Sequence, residues 1–200
     1  MTLLGLDFDN TLVRYDNLFH QLAVEKGLIE ESLPADKIAI RDHLRSQRQD
    51  EQFTLLQGEV YGLRILEAEP AEGMLEALGE LNQRGIPMVL VSHKTRTPYK
   101  GPAFDLHHAA WCWLDKNGFF SPDGLCWKHD QVFFEKSKQA KVSRVEALGC
   151  SHYVDDLPEI LEMLPINTKA IHFNYKGKQR EDIRFSTIEG WEELEQLIWR

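Results

Sequence analysis

The chain of 200 residues lacks the features of membrane and secreted proteins. No apolar run approaches the length of a membrane span. The N-terminus enters a strand pattern directly, with no basic or apolar leader segment. The cysteines, Cys112, Cys126 and Cys150, form no CxxC pair and are odd in number, which is typical of reduced thiols. We therefore expect a soluble, cytoplasmic protein.

Positive charge is also scarce. Lysine and arginine number 23 against 32 aspartate and glutamate residues, which gives a formal net charge of −9. No stripe of basic residues interleaves with aromatic ones, so we expect neither a nucleic-acid partner nor a membrane partner. The hydrophobic content of 42% and the charged content of 28% are those of a globular protein. The length suits one α/β domain with a modest insertion.

The segment LGLDFDNTLV near the N-terminus carries most of the information. An apolar strand pattern over residues 3–6 has no polar face, as in a strand that is covered on both sides. Asp7 and Asp9 follow it, and alternation places both carboxylates on one side of the chain. Like charges this close repel each other unless a cation lies between them. Ordinary turn chemistry is the alternative, and it accounts for Asn10 and Thr11 but not for Asp7.

Polar side chains also follow two later strand patterns. The apolar run over residues 86–91 ends at Ser92, and the run over residues 152–154 ends at Asp155 and Asp156. Each feature has a simpler interpretation, because serine is common at turns and helix caps and paired acids are common on surface loops. Their shared position, directly after a strand, is what singles them out.

The order of these patterns predicts a Rossmann-like α/β fold, a parallel sheet with helices on both faces. Strand patterns recur over residues 3–6, 86–91, 152–154 and 168–173, and helical patterns separate them. Right-handed crossovers place the carboxyl ends of the first three strands along one edge of the sheet. Ligands of open α/β sheets bind outside that edge, and all the polar groups named above fall there.

A basic stretch lies before the third strand pattern and contains Lys136, Lys138 and Lys141. It leads into a helical pattern that ends at Gly149. Read in chain order, the pattern Asp-x-Asp, Ser, Lys, Asp-Asp resembles the four motifs of the haloacid dehalogenase (HAD) superfamily. Among the three lysines, Lys141 fits the motif position best, Lys138 is the second choice and Lys136 is the third.

The resemblance implies a role for each motif residue. Asp7 is the expected nucleophile and Asp9 the expected general acid and base. Ser92 and Lys141 are expected to hold phosphoryl oxygens. Because the second aspartate is typical of phosphatases and phosphomutases rather than dehalogenases, the resemblance implies a phosphomonoester hydrolase that acts on a small phosphorylated metabolite through an aspartyl-phosphate intermediate. A phosphomutase and a non-catalytic phosphate-binding regulatory protein are the alternatives.

The resemblance also implies Mg²⁺ as the cofactor. Its expected ligands are Asp7, the backbone carbonyl of Asp9, Asp155 and Asp156, a set of oxygen donors that suits Mg²⁺. Which of Asp155 and Asp156 is the direct ligand stays open at this point.

Residues 15–69 separate the first two strand patterns by more than one crossover helix needs, and their apolar residues have helical spacing. The resemblance implies a helical C1-type cap over 15–69 and a core domain formed by 1–14 and 70–200. Candidate substrate contacts, each also explicable as solvated surface, are Arg41, His43, Arg45, Arg48 and Tyr61 in the cap and Lys94, Arg96 and Lys100 after Ser92. The substrate, and whether the protein is a monomer or a homodimer, stay open.

Overall fold

The computed structural model of the protein describes residues 2–177 and 185–199. Residues 1, 178–184 and 200, which the sequence analysis assigns to the core domain, lie outside the described residues. Within the described ranges no helix is both long enough and apolar enough to cross a membrane. The three cysteines are free thiols.

The chain forms alternating strands and helices. The strands are β1 (Leu4–Leu6), β2 (Val13–Arg14), β3 (Glu69–Pro70), β4 (Met88–His93), β5 (Val132–Glu135), β6 (His152–Asp155), β7 (Lys169–Phe173) and β8 (Ser186–Ile188). The α-helices are α1 (Asp16–Glu25), α2 (Lys37–Ser46), α3 (Asp50–Gly58), α4 (Met74–Gln83), α5 (Leu106–Lys116), α6 (Lys138–Leu148), α7 (Pro158–Leu161) and α8 (Leu194–Ile198). A π-helical turn, Glu59–Leu63, follows α3.

The chain divides into two compact units. The first unit comprises Met1–Val13, Pro70–Lys94 and Gly118–Arg200, and the second comprises Arg14–Glu69 and Thr95–Asn117. The second unit therefore includes residues 95–117, which the sequence analysis assigns to the core domain. The assignment of 15–69 as a cap stays a prediction.

The first unit is built on a six-stranded sheet in the order β5-β4-β1-β6-β7-β8. Every neighbouring pair is parallel. β1 is paired on both sides, since Leu4 lies opposite Met88 of β4 and opposite His152 of β6. All three residues of β1 are buried, as expected of an apolar strand without a polar face.

Helix α6 packs its apolar side onto this sheet. Val142 and Val145 belong to one buried cluster with Val89 and Val91 of β4 and with Tyr153 of β6. The Tyr153 hydroxyl donates a hydrogen bond to the carbonyl oxygen of Val91, so its ring is held across β1. This packing places the N-terminus of α6 at the carboxyl edge of the sheet, because α6 directly follows β5.

The four predicted strands are confirmed as β1, β4, β6 and β7. The sequence analysis did not predict β5 and β8, which lie at the two edges of the sheet. Edge strands are covered incompletely: residues 133–135 of β5 are half-buried, and two of the three residues of β8 are exposed. Their sequences therefore lack the continuous apolar run that marks a central strand.

The second unit is helical. α1 buries Leu18, Phe19 and Leu22, and the ring of Phe19 stacks on that of Phe53 in α3 at 5.7 Å. α5 also belongs to this unit, and the indole nitrogen of Trp113 donates a hydrogen bond to the carbonyl oxygen of Ala68 at 2.8 Å. That contact joins the two segments of the unit, and sequence periodicity does not reveal it.

Gly5 offers a test of the central packing. A Cβ atom added at Gly5 would lie 2.5 Å from Cδ2 of Tyr153, whose ring is fully buried. We expect Gly5→Ala to lower the free energy of unfolding by roughly 1–3 kcal/mol, because an overpacked core must shift. Gly79 in α4 has open space at the same position, so Gly79→Ala is expected to raise the free energy of unfolding by up to about 1 kcal/mol. Urea unfolding curves measure both, and a Gly5→Ala variant as stable as wild type would contradict the packing.

Candidate active site

Asp7 lies directly after β1 at the carboxyl edge of the sheet. Its backbone N–H donates to the carbonyl oxygen of Val154 at 3.0 Å, which fixes the residue against β6. The buried carboxylate accepts hydrogen bonds at Oδ1 from the Ser92 hydroxyl at 2.8 Å and from the Lys141 ammonium at 2.6 Å. The Thr11 hydroxyl contacts Oδ2 at 3.4 Å. Asp7 is thus a buried carboxylate held in one orientation from several sides.

Lys141 lies near the N-terminus of α6, as the fourth residue of the helix. The helix begins with Ser137, whose side chain accepts from the backbone N–H of Ala140 at 3.1 Å. The Lys141 side chain is only 2% exposed, and its Nζ lies 2.6 Å from Oδ1 of Asp7 and 2.6 Å from Oδ2 of Asp155. One buried ammonium therefore bridges carboxylates that follow two neighbouring strands.

The pKa values follow from this sharing. Burial opposes the charge on Lys141, but the attraction of the Asp7 and Asp155 carboxylates outweighs it and keeps the pKa of Lys141 well above its ordinary value. Burial raises the pKa of the Asp155 carboxyl to about 7, because the attraction of Lys141 offsets only part of the desolvation and the charge of Asp7 adds to the rise. A single ammonium does not fully compensate two buried carboxylates.

Asp155 and Asp156 bring further oxygen atoms to the same edge. Asp155 is fully buried, and while its Oδ2 contacts Lys141, its Oδ1 accepts from the backbone N–H of Leu157 at 2.9 Å. Asp156 is half-buried. One carboxylate oxygen from each of Asp7, Asp155 and Asp156 lies within 4.8 Å of the others. This is a set of oxygen donors of the kind that hard divalent cations prefer.

Asp9 has a different partner. Both of its carboxylate oxygens accept from the ammonium of Lys94, at 2.8 and 2.9 Å. The Lys94 side chain is 3% exposed, whereas that of Asp9 is 26% exposed. Lys94 lies two residues beyond Ser92, and its Nζ is 5.1 Å from the centroid of the Phe8 ring. The site therefore holds a second buried ammonium.

The structure brings the motif residues together and separates the three lysines. Lys141 lies between Asp7 and Asp155. Lys138 instead pairs with Glu159 and is 42% exposed, and Lys136 is exposed. Of the three lysines, Lys141 is therefore the one that contacts Asp7 and Asp155, and its role stays a prediction.

Most of the other proposed substrate contacts lie in the second unit and pair with acidic neighbours there. These pairs are Arg41 with Asp42 at 2.8 Å, Arg45 with Asp50 at 3.2 Å, Arg96 with Asp105 at 3.0 Å and Lys100 with Glu51 at 2.7 Å. Tyr61 packs its ring edge-on against Tyr15, His43 is half-buried, and Arg48 is exposed with φ at 58°. Among the cations that follow Ser92, Lys94 is the one that reaches the motif residues.

Tyr153 is a site residue that the sequence analysis did not identify. Its ring centroid lies 5.6 Å from Nζ of Lys141, and burial raises the pKa of its hydroxyl well above the ordinary value. In the sequence, Tyr153 looks like one more apolar position of a buried strand. Its place beneath Lys141 depends on how α6 packs, and no local sequence signal reports that.

No family model and no curated protein sequence matches the chain. Solved structures do match over nearly its whole length. A HAD family hydrolase from Deinococcus radiodurans with bound phosphate and sodium is 14% identical, with 99% of this chain and 95% of that chain covered and a TM-score of 0.59. A HAD hydrolase of family IA from Entamoeba histolytica is 14% identical, with 100% of both chains covered and a TM-score of 0.56. An L-2-haloacid dehalogenase is 12% identical, with 100% and 99% covered and a TM-score of 0.59.

The chain has the haloacid dehalogenase fold. The predicted fold class, a Rossmann-like parallel sheet flanked by helices, is confirmed. The HAD structures that resemble it include a phosphate-bound hydrolase and a dehalogenase, so the fold leaves the reaction to be argued from the site itself.

The raised pKa of Asp155 predicts a pH dependence of stability. The folded-state pKa of about 7 lies above the ordinary value of an aspartate, so in between the folded protein binds a proton that the unfolded chain has lost. The free energy of unfolding must then fall as pH rises through that window. In EDTA, we expect the melting temperature of the wild type to fall more than that of Asp155→Asn as the pH rises from about 5 to about 8, through the folded-state pKa of about 7.

Glu159→Gln is the matched control, because it removes an acid that pairs with Lys138 at the surface. It is expected to keep the wild-type pH dependence. Thermal unfolding followed by circular dichroism measures all three proteins. Parallel curves for wild type and Asp155→Asn would contradict the assignment.

Proposed function

We propose that the protein is a Mg²⁺-dependent phosphomonoester hydrolase that acts on a small phosphorylated metabolite. The observation that carries the proposal is the position of Asp7. Its carboxylate is buried at the end of a central strand, held by Ser92 and Lys141, with Asp155 and Asp156 close by. A carboxylate fixed in this way is a pre-positioned nucleophile for phosphorus.

The acidic cluster fits Mg²⁺ because its donors are all oxygen atoms within a small volume. Asp7, the backbone carbonyl of Asp9 and the Asp155–Asp156 pair would hold the ion. When bound, the cation would offset the charge of the phosphoryl oxygens and of the surrounding carboxylates.

The proposed reaction has two steps. First, Asp7 attacks phosphorus, the bond to the ester oxygen breaks, and Asp9 gives its proton to the leaving alkoxide. Second, Asp9 takes a proton from water as that water attacks phosphorus, and the bond between Asp7 and phosphorus breaks. Inorganic phosphate leaves, Asp7 is again a carboxylate, and Asp9 again holds the proton with which the cycle began. The Ser92 hydroxyl and the Lys141 ammonium are positioned to stabilise the phosphoryl oxygens.

The presence of Asp9 favours phosphoryl chemistry over dehalogenation. An alkoxide needs a proton to leave, whereas a halide leaves without one, so a second carboxyl beside the nucleophile serves the former reaction. A phosphomutase would use the same residues. It would require a doubly phosphorylated activator in steady-state assays, whereas the proposed hydrolase would not.

We expect Asp7→Asn to abolish Mg²⁺-dependent release of phosphate, because an amide is a poor nucleophile. Asp9→Asn should lower kcat by about 10²–10⁴-fold on an alkyl phosphate, the usual contribution of a general acid, and by less on an aryl phosphate, whose leaving group barely needs a proton. Phosphate-release assays on both esters measure this, with Glu159→Gln as a control that should keep full activity. Wild-type kcat in Asp7→Asn, or equal losses of Asp9→Asn on both esters, would contradict these roles.

Binding of Mg²⁺ is expected to stabilise the folded protein. Mg²⁺ at about a hundredfold above its Kd should raise the free energy of unfolding by roughly 2.7 kcal/mol.

Lys141→Ala should lower the stability of the metal-free protein by about 3–5 kcal/mol, because it leaves two buried carboxylates without their ammonium. Lys138→Ala removes an exposed ion pair and should cost about 1 kcal/mol or less.

A thermal-shift series with and without Mg²⁺ compares these proteins. The absence of a Mg²⁺-induced shift in the wild type, together with the absence of Mg²⁺-dependent phosphatase activity, would refute the metal site. The non-catalytic alternative would then be the better description.

A further inference from the structure

The proposed reaction gives no part to Lys94, although its ammonium is buried beside a reacting group. Lys94 is 3% exposed at its side chain and contacts both oxygens of Asp9. Lys141, the other buried ammonium of the site, contacts Asp7 and Asp155 instead. The two lysines therefore serve different carboxylates.

The sheet fixes where Lys94 points. The pairing of β4 with β5 continues to the end of the strand, with Ser92 opposite Phe134 and His93 opposite Glu135. The backbone N–H of Lys94 then donates to the carbonyl oxygen of Glu135 at 2.9 Å. Because side chains two residues apart in an extended chain point the same way, Lys94 shares the side of Ser92. Its placement on Asp9 follows from that register.

Asp9 does not need a charged partner in order to be held in one orientation. A neutral donor such as an amide can orient a carboxylate, whereas burying a full ammonium carries a desolvation cost that the ion pair does not always recover. Asp9 is also the more exposed partner, at 26% against 3% for Lys94. Lys94 therefore places a full positive charge directly beside Asp9, and its attraction extends to an anion bound next to that carboxyl.

We propose that Lys94 is a specificity-determining residue that binds an anionic group on the leaving portion of the substrate. The inference rests on the proposed function, in which Asp9 contacts the leaving oxygen. Since Nζ of Lys94 lies 2.8 and 2.9 Å from the oxygens of Asp9, an anion that it binds must lie close to that leaving oxygen. The preferred substrates are phosphomonoesters with a carboxylate or a second phosphate one or two carbon atoms from the ester oxygen.

Three short phosphate esters test the proposal. Phosphoglycolate carries a carboxylate where ethyl phosphate carries a methyl group, and ethylene glycol bisphosphate carries a second phosphate on that terminal carbon atom. In the wild type with Mg²⁺, we expect kcat/KM to be about 10- to 100-fold higher for one of the two doubly anionic esters than for ethyl phosphate, the usual range for a charged hydrogen bond. The better of the two identifies the anion as carboxylate or phosphate.

The variants separate recognition from support of Asp9. Lys94→Gln keeps a hydrogen-bond donor and Lys94→Met removes it, and both remove the charge. If Lys94 binds the substrate, both variants should lose most of the difference in kcat/KM between the ester with the second anionic group and ethyl phosphate, mainly through a higher KM. Lys94→Arg keeps the charge and should retain part of that difference. If Lys94 only supports Asp9, the activity falls equally on both esters and the preference is unchanged, which would overturn the proposal. Lys138→Gln is the surface control and should behave as wild type.

Equilibrium binding gives a readout that does not depend on turnover. Calorimetry on Asp7→Asn, with and without Lys94→Gln, should show tighter binding of phosphoglycolate or of the bisphosphate than of ethyl phosphate, with the difference lost in the double variant. A wild type that hydrolyses all three esters with equal efficiency refutes the role of Lys94 and leaves the phosphatase proposal intact. A wild type that hydrolyses none of them, nor an aryl phosphate, refutes the proposed function, while the binding difference still decides whether Lys94 recognises anions.

Discussion

The ammonium of Lys141, buried between Asp7 and Asp155, is the contact on which the candidate site depends. Each carboxylate follows a different strand, and the lysine comes from the helix that packs across them. Without the cation, two buried carboxylates would face each other in a medium of low dielectric constant. The ion pairs therefore tie the carboxyl ends of β1 and β6 to the start of α6, and the rest of the site is arranged around that junction.

Such a contact contributes specificity more than net stability. Burying three charges costs desolvation energy that their attraction only partly recovers, and a well-packed apolar cluster would cost less. The raised pKa of Asp155 is the sign of that incomplete compensation. The neighbouring apolar cluster, which includes Val142, Val145 and Tyr153, supplies the packing that holds the charged groups in place. The apolar packing below the site thus supplies the stability that offsets the desolvation cost of its buried charges.

Much of the architecture follows from the positions at which apolar runs end. Asp7, Ser92 and Asp155 each come at or just after the end of a strand, and parallel strands align those ends at one edge, so their convergence was predictable. The edge strands β5 and β8 were not, because incomplete burial leaves them without an apolar signature. The contact between Lys94 and Asp9 was predictable only in part. Alternation predicts its side of the chain, but its partner depends on the distance between two strand ends.

The limits of prediction were set by contacts between distant segments. The membership of α5 in the second unit depends on contacts such as the hydrogen bond from Trp113 to Ala68, and the place of Tyr153 beneath Lys141 depends on helix packing. Neither contact has a periodic signal, because each joins residues far apart in the chain. Sequence patterns describe which face of an element is buried, and they do not state which other element covers it.

The candidate site also differs in charge from the rest of this acidic chain, whose formal net charge is −9. At the carboxyl edge of the sheet, two buried ammonium groups, those of Lys94 and Lys141, lie among the carboxylates. They reduce the local negative charge without reversing it, because Asp7, Asp9, Asp155 and Asp156 all lie at this edge. Burial and the neighbouring charge of Asp7 raise the pKa of the Asp155 carboxyl to about 7, so the site favours a bound proton where several carboxylates converge.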